Sequence, residues 1–182
     1  MHATFPFAMA PKQAYSLLQT DFSPFNLELE KLDDQAEATM NHVGTTQGCE
    51  AIIDLMKSFS PNDKLTPFIF LHGFENLVAL VDDGDGNDEN EKAHAVSHGA
   101  IEAAAAALKG TPKKHPIYQT MSYLALRVIK SLAKTPGAEA RIQKVNAAKL
   151  SIEVWDFART LPQEEELDPE HRFQEVIWYS RT

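Results

Sequence analysis

The chain has 182 residues, 43% hydrophobic and 24% charged, a mix that fits one globular domain and argues against disorder. Its net charge of −9 disfavours a nucleic-acid backbone or an anionic membrane as the main partner, because both reward positive charge, and leaves room for a basic protein partner. The single cysteine, Cys49, rules out an internal disulfide and points to a reducing compartment, cytoplasmic or nuclear; neither a metal site nor a cofactor is expected.

The start, Met1 to Ala10, has no positive cluster, and Pro6 and Pro11 interrupt it, so no signal peptide is visible. No run approaches the roughly 20 apolar residues of a membrane span. The stretch Ala10 to Leu32 has helical character with a break at Ser23-Pro24. From Gly48 the chain reads GCEAIIDLMKSFSP, and a longer helical pattern follows from Pro67 to Val81. An acidic segment holds Asp82, Asp83, Asp85, Asp88, Glu89 and Glu91. From Gly99 a second stretch, GAIEAAAAALKGTP, matches the first once a one-residue gap is allowed. Glu50-Ala51 matches Glu102-Ala103, Lys57 matches Lys109, and Pro61 matches Pro112. A longer helix over Ile117 to Ala133 follows, with Tyr118, Met121, Ala125, Val128 and Leu132 on one face and a stop at Thr135-Pro136-Gly137. A third copy, NAAKLSIEVWDFA, begins at Asn146, where Asn replaces Gly; both residues tolerate the left-handed backbone of a tight turn. A second acidic run (Glu164, Glu165, Glu166, Asp168, Glu170) precedes a last helix over roughly Pro169 to Tyr179.

The copies step from Gly48 to Gly99 to Asn146, at or slightly above the about 40–47 residues of armadillo and HEAT units. The expectation is one all-α domain over 1–182. Its repeat region covers 33–157, an acidic loop is inserted at 82–91, and the segment 158–182 carries the final helix. The best strand candidate, Pro67 to Leu71, is short and has no hairpin partner.

On these residues the chain resembles the armadillo-like helical repeats. Asn87 to Lys109 looks like the passage from a short first helix to a second, and Phe74-Glu75-Asn76-Leu77 looks like the end of a third. Ile129-Lys130-Ser131-Leu132 has Ser where the family often has Asn. The resemblance implies an α-solenoid of about two full units with partial capping units. It also implies a groove lined by third helices, with Asn76 and Ser131 as the groove residues. Third-helix tryptophans, which accompany the Asn ladder of nuclear-import carriers, are missing, so a nuclear-localisation-signal receptor is not expected.

Several patterns invite chemistry. Leu71-His72-Gly73-Phe74 is similar to an oxyanion loop, and Ala95-Val96-Ser97-His98-Gly99 to a nucleophile elbow. An elbow needs a buried strand before its Ser, and Asn87 to Lys92 cannot supply one. Asp83, Asp85, Asn87 and Glu89 alternate like calcium ligands, but Asp88 and His94 stand where the loop needs Gly and Glu. His94 and His98 share a helix face without the Glu of a zinc-protease motif. Cys49 reads as a buried, inert thiol. Arg127, Lys130 and Lys134 form a basic strip, either a solvated face or a contact for an acidic loop of a neighbour.

No catalytic residue is therefore expected. The leading expectation is an adaptor or scaffold that binds a peptide or protein surface, with Asn76, Ser131, Arg127 and Lys130 at its groove. A structural subunit of a larger assembly is the alternative, and an α/β-type hydrolase stands third.

Overall fold

The computed structural model describes residues 24–81 and 89–160. Among them every regular element is a helix: α1 (Pro24–Ser58), α2 (Thr66–Val81), α3 (Glu89–His98), α4 (Ala100–Gly110), α5 (Tyr118–Leu132), α6 (Ala138–Val145) and α7 (Ala147–Thr160). The strand candidate at Pro67 to Leu71 is part of α2, and none of the described residues is in a strand. None of the described helices is long and apolar enough to cross a membrane. The acidic residues 82–88, the N-terminal 1–23 and the segment 161–182 lie outside the described residues.

Left-handed backbone marks the joints. Helix α1 is broken at Gly48, with φ 74° and ψ −171°, a region essentially reserved for glycine. Gly99, at φ 89°, separates α3 from α4; Asn146, at φ 58°, separates α6 from α7. These are the three positions at which the sequence copies begin. Gly99 and Asn146 close their joints with the same pair of hydrogen bonds. The Gly99 amide donates to the Val96 carbonyl (3.2 Å) and its carbonyl accepts from Ala103 (3.0 Å). Asn146 donates to Gln143 (3.0 Å) and accepts from Leu150 (3.2 Å). One left-handed residue thus ends one helix and starts the next with few backbone groups orphaned.

Each joint leads into a helix that packs on a longer one. Helix α2 packs on α1 and α5, and α4 packs on α5 and α6. The alanine run lets α4 sit this deep: Ala103, Ala104, Ala105 and Ala107 are all buried, and their lack of bulk admits neighbours on several sides. Gly73 serves the same end in α2. A Cβ there would lie 2.6 Å from Met56 Sδ, so the Met56 side chain of α1 fills the space that a side chain at position 73 would need. The α5 stripe expected from spacing is buried, with Tyr118, Met121, Ala125, Val128, Ile129 and Leu132 inside. Each large apolar side chain so covered contributes about 1.5–3 kcal/mol.

Polar contacts between successive joints recur as well. The Lys57 ammonium, in the last turn of α1, donates to the carbonyl of His98 at the end of α3. Lys109, in the last turn of α4, donates to the carbonyl of Val145 at the end of α6 (3.5 Å). His98 and Val145 each stand just before a left-handed residue, so the matched lysines of the two copies satisfy the same orphan carbonyl one step along the chain. The matched glutamates also reach forward. Glu50 meets His98 Nε2 at 3.6 Å, and Glu102 accepts from Arg141 Nη1 at 2.7 Å.

Replacing Asn146 separates the backbone effect from packing, because the residue is exposed. Asn146→Gly should leave thermal stability nearly unchanged, whereas Asn146→Ala should lower it by about 1 kcal/mol, the cost of a β-carbon in left-handed backbone. Chemical denaturation followed by circular dichroism reads both.

Candidate functional site

Two surfaces carry the expected groove residues. The first is the seam between α1 and α2. Its centre is His72, whose side chain is only 5% exposed. Its Nδ1 lies 2.7 Å from Glu75 Oε2, one turn along α2, and its Nε2 lies 2.9 Å from Asp33 Oδ1 on α1. Carboxylates only accept, so both ring nitrogens donate and the ring is an imidazolium. Burial opposes that charge, but the hydrogen bonds and charges of Asp33 and Glu75 outweigh it and push the His72 pKa up to about 9.

Asn76, one turn beyond His72, is half-buried. Its amide donates to the His72 carbonyl (2.9 Å) and, at 3.4 Å, to Asn41 Oδ1 on α1. Its own oxygen covers Gly44, where a Cβ would lie 2.7 Å away. The Asn76 side chain is thus engaged with α1, and a groove ligand would have to replace the long Asn41 contact.

The second surface is on α5. Arg127, Lys130 and Ser131 are half-buried there and Lys134 is exposed just beyond the helix end. Tyr123, one turn before Arg127, is 41% exposed. The strip therefore combines an aromatic face with guanidinium, ammonium and hydroxyl donors at steps of three and four. Asn76 lies in the middle of α2 whereas Ser131 is the penultimate residue of α5, so the two occupy different levels of their helices.

The hydrolase-like residues have other work. Leu71 to Phe74 are helical and buried, with His72 held by its two carboxylates. Ser97 sits in the last turn of α3, and its hydroxyl donates to the His94 carbonyl of the same helix (2.9 Å). The residues directly before it, from Glu89, are helical rather than a strand, so the elbow geometry is absent. His94 and His98 face one another with ring centroids 6.4 Å apart. Cys49 is buried, its thiol facing the Glu91 carbonyl at 3.8 Å; burial first, and then Glu91, pushes its pKa up to about 12. It is a thiol at any physiological pH and a poor nucleophile. Glu89, the last member of the calcium-like series, opens α3, while Asp83, Asp85 and Asn87 lie outside the described residues.

Sequence reasoning missed the His72 cluster as a charged clamp. Glu75 three residues on was the local signal for it, but Asp33 is 39 positions away. No family model matches the chain, and neither the curated proteins nor the solved structures contain a significant match to it.

The His72 clamp sets a pH dependence. Its folded-state pKa lies above the unfolded value near 6.5, so its contribution is complete below about pH 6.5 and is lost as pH rises through about 9. A shift of this size corresponds to about 3 kcal/mol. Urea denaturation should show stability falling between pH 6 and pH 9.5 by an amount of that order. His72→Gln, which cannot carry the charge, should be less stable at pH 6 and should flatten this part of the profile.

Proposed function

We propose that this chain is a non-catalytic interaction module of the armadillo-like repeat type, an adaptor or scaffold that holds a peptide or protein surface on the face carrying α2 and α5. In this reading α1 and α2 form the first full unit and α3 to α5 the second, with α6 and α7 opening a partial third. The observation that carries the reading is the recurrence of one contact. Lys57 and Lys109, at matched places in successive copies, cap the helix that ends at the next left-handed joint. Contacts that repeat from unit to unit are what stacked helical repeats produce, and such stacks present extended, rigid surfaces suited to binding.

In this reading Arg127, Lys130 and Ser131 line the ligand-facing strip of α5, beside the exposed ring of Tyr123. Asn76 joins them once its Asn41 contact is exchanged. The net charge of −9 favours a partner with basic character over the wider surface. A buried, weakly acidic Cys49 thiol suits a cytoplasmic or nuclear setting.

Affinity capture from native lysate tests the reading. Asn76→Ala/Ser131→Ala and Arg127→Ala/Lys130→Ala should each lower recovery of one specific partner about tenfold or more, a change of about 1.4 kcal/mol, with helicity intact. A stable partner set unaffected by either double variant would overturn the groove. It would assign binding to the ends and outer faces, as in a structural subunit of an assembly.

A further inference from the structure

The two limbs of α1, residues 24–47 and 49–58, meet at a glycine unlike the other left-handed residues. Gly99 and Asn146 have ψ of 36° and 50°, ordinary left-handed backbone. Gly48 has ψ −171°, a conformation essentially confined to glycine. A Cβ built there meets nothing within 4 Å among the described residues, so the joint has room around it. Turning at Gly48 is opposed neither by a side chain of its own nor by neighbours pressed on its α-carbon.

The limbs are held to the rest of the fold in different ways. On the second limb Cys49, Ile52, Ile53 and Met56 are all buried, and Met56 fills the space at Gly73. On the first limb Ala36 and Met40 are buried, while Leu29, Leu32 and Val43 are only partly covered. Its further contacts with α2 are polar. Asp33 meets His72 at 2.9 Å, Asn41 accepts from Asn76 at 3.4 Å, and the Asn76 oxygen covers Gly44. Glu28 also pairs with Lys64, between α1 and α2, at 2.8 Å, but both side chains are exposed and such a pair adds little.

The buried cation of this seam is the His72 ring. The charges that act on it are Asp33, on the first limb, and Glu75, on α2 itself. Helices α3, α4 and α5 also pack on α2, and none of their described residues adds a charge that shifts the ring. Glu75 is one turn away on the same helix and remains beside the ring whatever its charge. Asp33 stands on the limb that can turn, and its side chain is only 14% exposed. Without its second proton the ring donates through one nitrogen, and the Asp33 carboxylate is left largely buried beside no cation.

We propose that the first limb of α1 is a strap that turns at Gly48, docks on α2 through the His72 imidazolium, and leaves α2 as a unit when the ring becomes neutral. Undocking also takes Asn41 away from Asn76. The strap therefore regulates access to Asn76 in the proposed groove, a consequence that rests on the groove reading, whereas the strap itself does not.

Paired spin labels read the docking without any ligand, so failure of the groove and failure of the strap are separate results. In a Cys49→Ala background, Glu30→Cys with Ala79→Cys spans the first limb and α2, and Asp54→Cys with Ala79→Cys spans the second limb and α2; all three label sites are exposed. At about pH 6 each pair should give one narrow distance. At about pH 10 a longer, broader Glu30–Ala79 population should have grown about tenfold or more, while the Asp54–Ala79 distance holds. His72→Gln should show the longer population already at about pH 6 and respond little to pH. Gly48→Ala has room for its methyl group but cannot hold the joint's backbone, so it too should displace the first limb at about pH 6. A Glu30–Ala79 distance unmoved by pH and by His72→Gln would overturn the strap. Lengthening of both pairs together would also overturn it, because that is unfolding of the whole chain. A first limb that stays docked in Gly48→Ala would remove Gly48 as the pivot and the proposal with it. The pH series alters no residue of the seam, so it decides the matter even where a variant fails to fold.

Discussion

The architecture depends on a backbone constraint more than on any side-chain contact. Three times the chain passes from one helical run to another through a single residue at positive φ, and at Gly99 and Asn146 that residue leaves few amides and carbonyls orphaned. Gly48, Gly99 and Asn146 meet that demand. The demand is steric, since a β-carbon is crowded at positive φ, and so it restricts the residue type strongly. Everything downstream takes its direction from these joints: which face of α4 meets α5, where Lys57 and Lys109 emerge, and which carbonyls they find.

The polar contacts then act on what the joints leave unsatisfied. A helix that ends at a left-handed residue still presents carbonyls near its terminus, at the negative end of the helix dipole. A lysine from an earlier helix placed there satisfies hydrogen bonding and complements the dipole at once. Because the lysine and the carbonyl belong to different helices, the same contact also ties α1 to α3 and α4 to α6. Arg141 adds to it, bridging Glu102 Oε1 and the Ser97 carbonyl and so tying α6 to both α4 and α3. The second oxygen of Glu102 is buried without a hydrogen-bond partner among the described residues, which leaves that carboxylate dependent on Arg141.

Local chemistry was legible in the sequence to the extent that it repeats. The joints were visible because glycine or asparagine recurred at a similar step before matching residues, and the α5 stripe because its apolar spacing is helical. The matched lysines were visible as a pattern, but their acceptors were not, since a backbone carbonyl 36 or 41 positions away has no sequence signature. The segment containing His72 was misleading. His-Gly after an apolar run looks like an oxyanion loop, whereas here the glycine lets Met56 approach and the histidine is a buried cation held by Asp33 and Glu75. The first limb of α1 was equally hidden. Its apolar signal is confined to a narrow stripe, with Ala36 and Met40 buried among mostly exposed polar neighbours. Asp33, where the repeat region was expected to begin, lies inside the first limb of α1, before its break at Gly48.

Helix α7 shows how the series changes along the chain. Aligned on its joint, it carries Lys149 where α4 has Glu102 and Asp156 where α4 has Lys109. Lys149 pairs within its own helix, with Glu153 at 3.8 Å. Asp156, as a carboxylate, can only accept, so it cannot cap a carbonyl as the two lysines do. The forward-reaching lysine contact that joins α1 to α3, and α4 to α6, is therefore not one that Asp156 of α7 can make. Its exposed ridge keeps the apolar positions of the earlier copies but reverses their charges. The two properties are separable: α7 keeps the apolar spacing of the earlier copies and has lost their Glu and Lys pair.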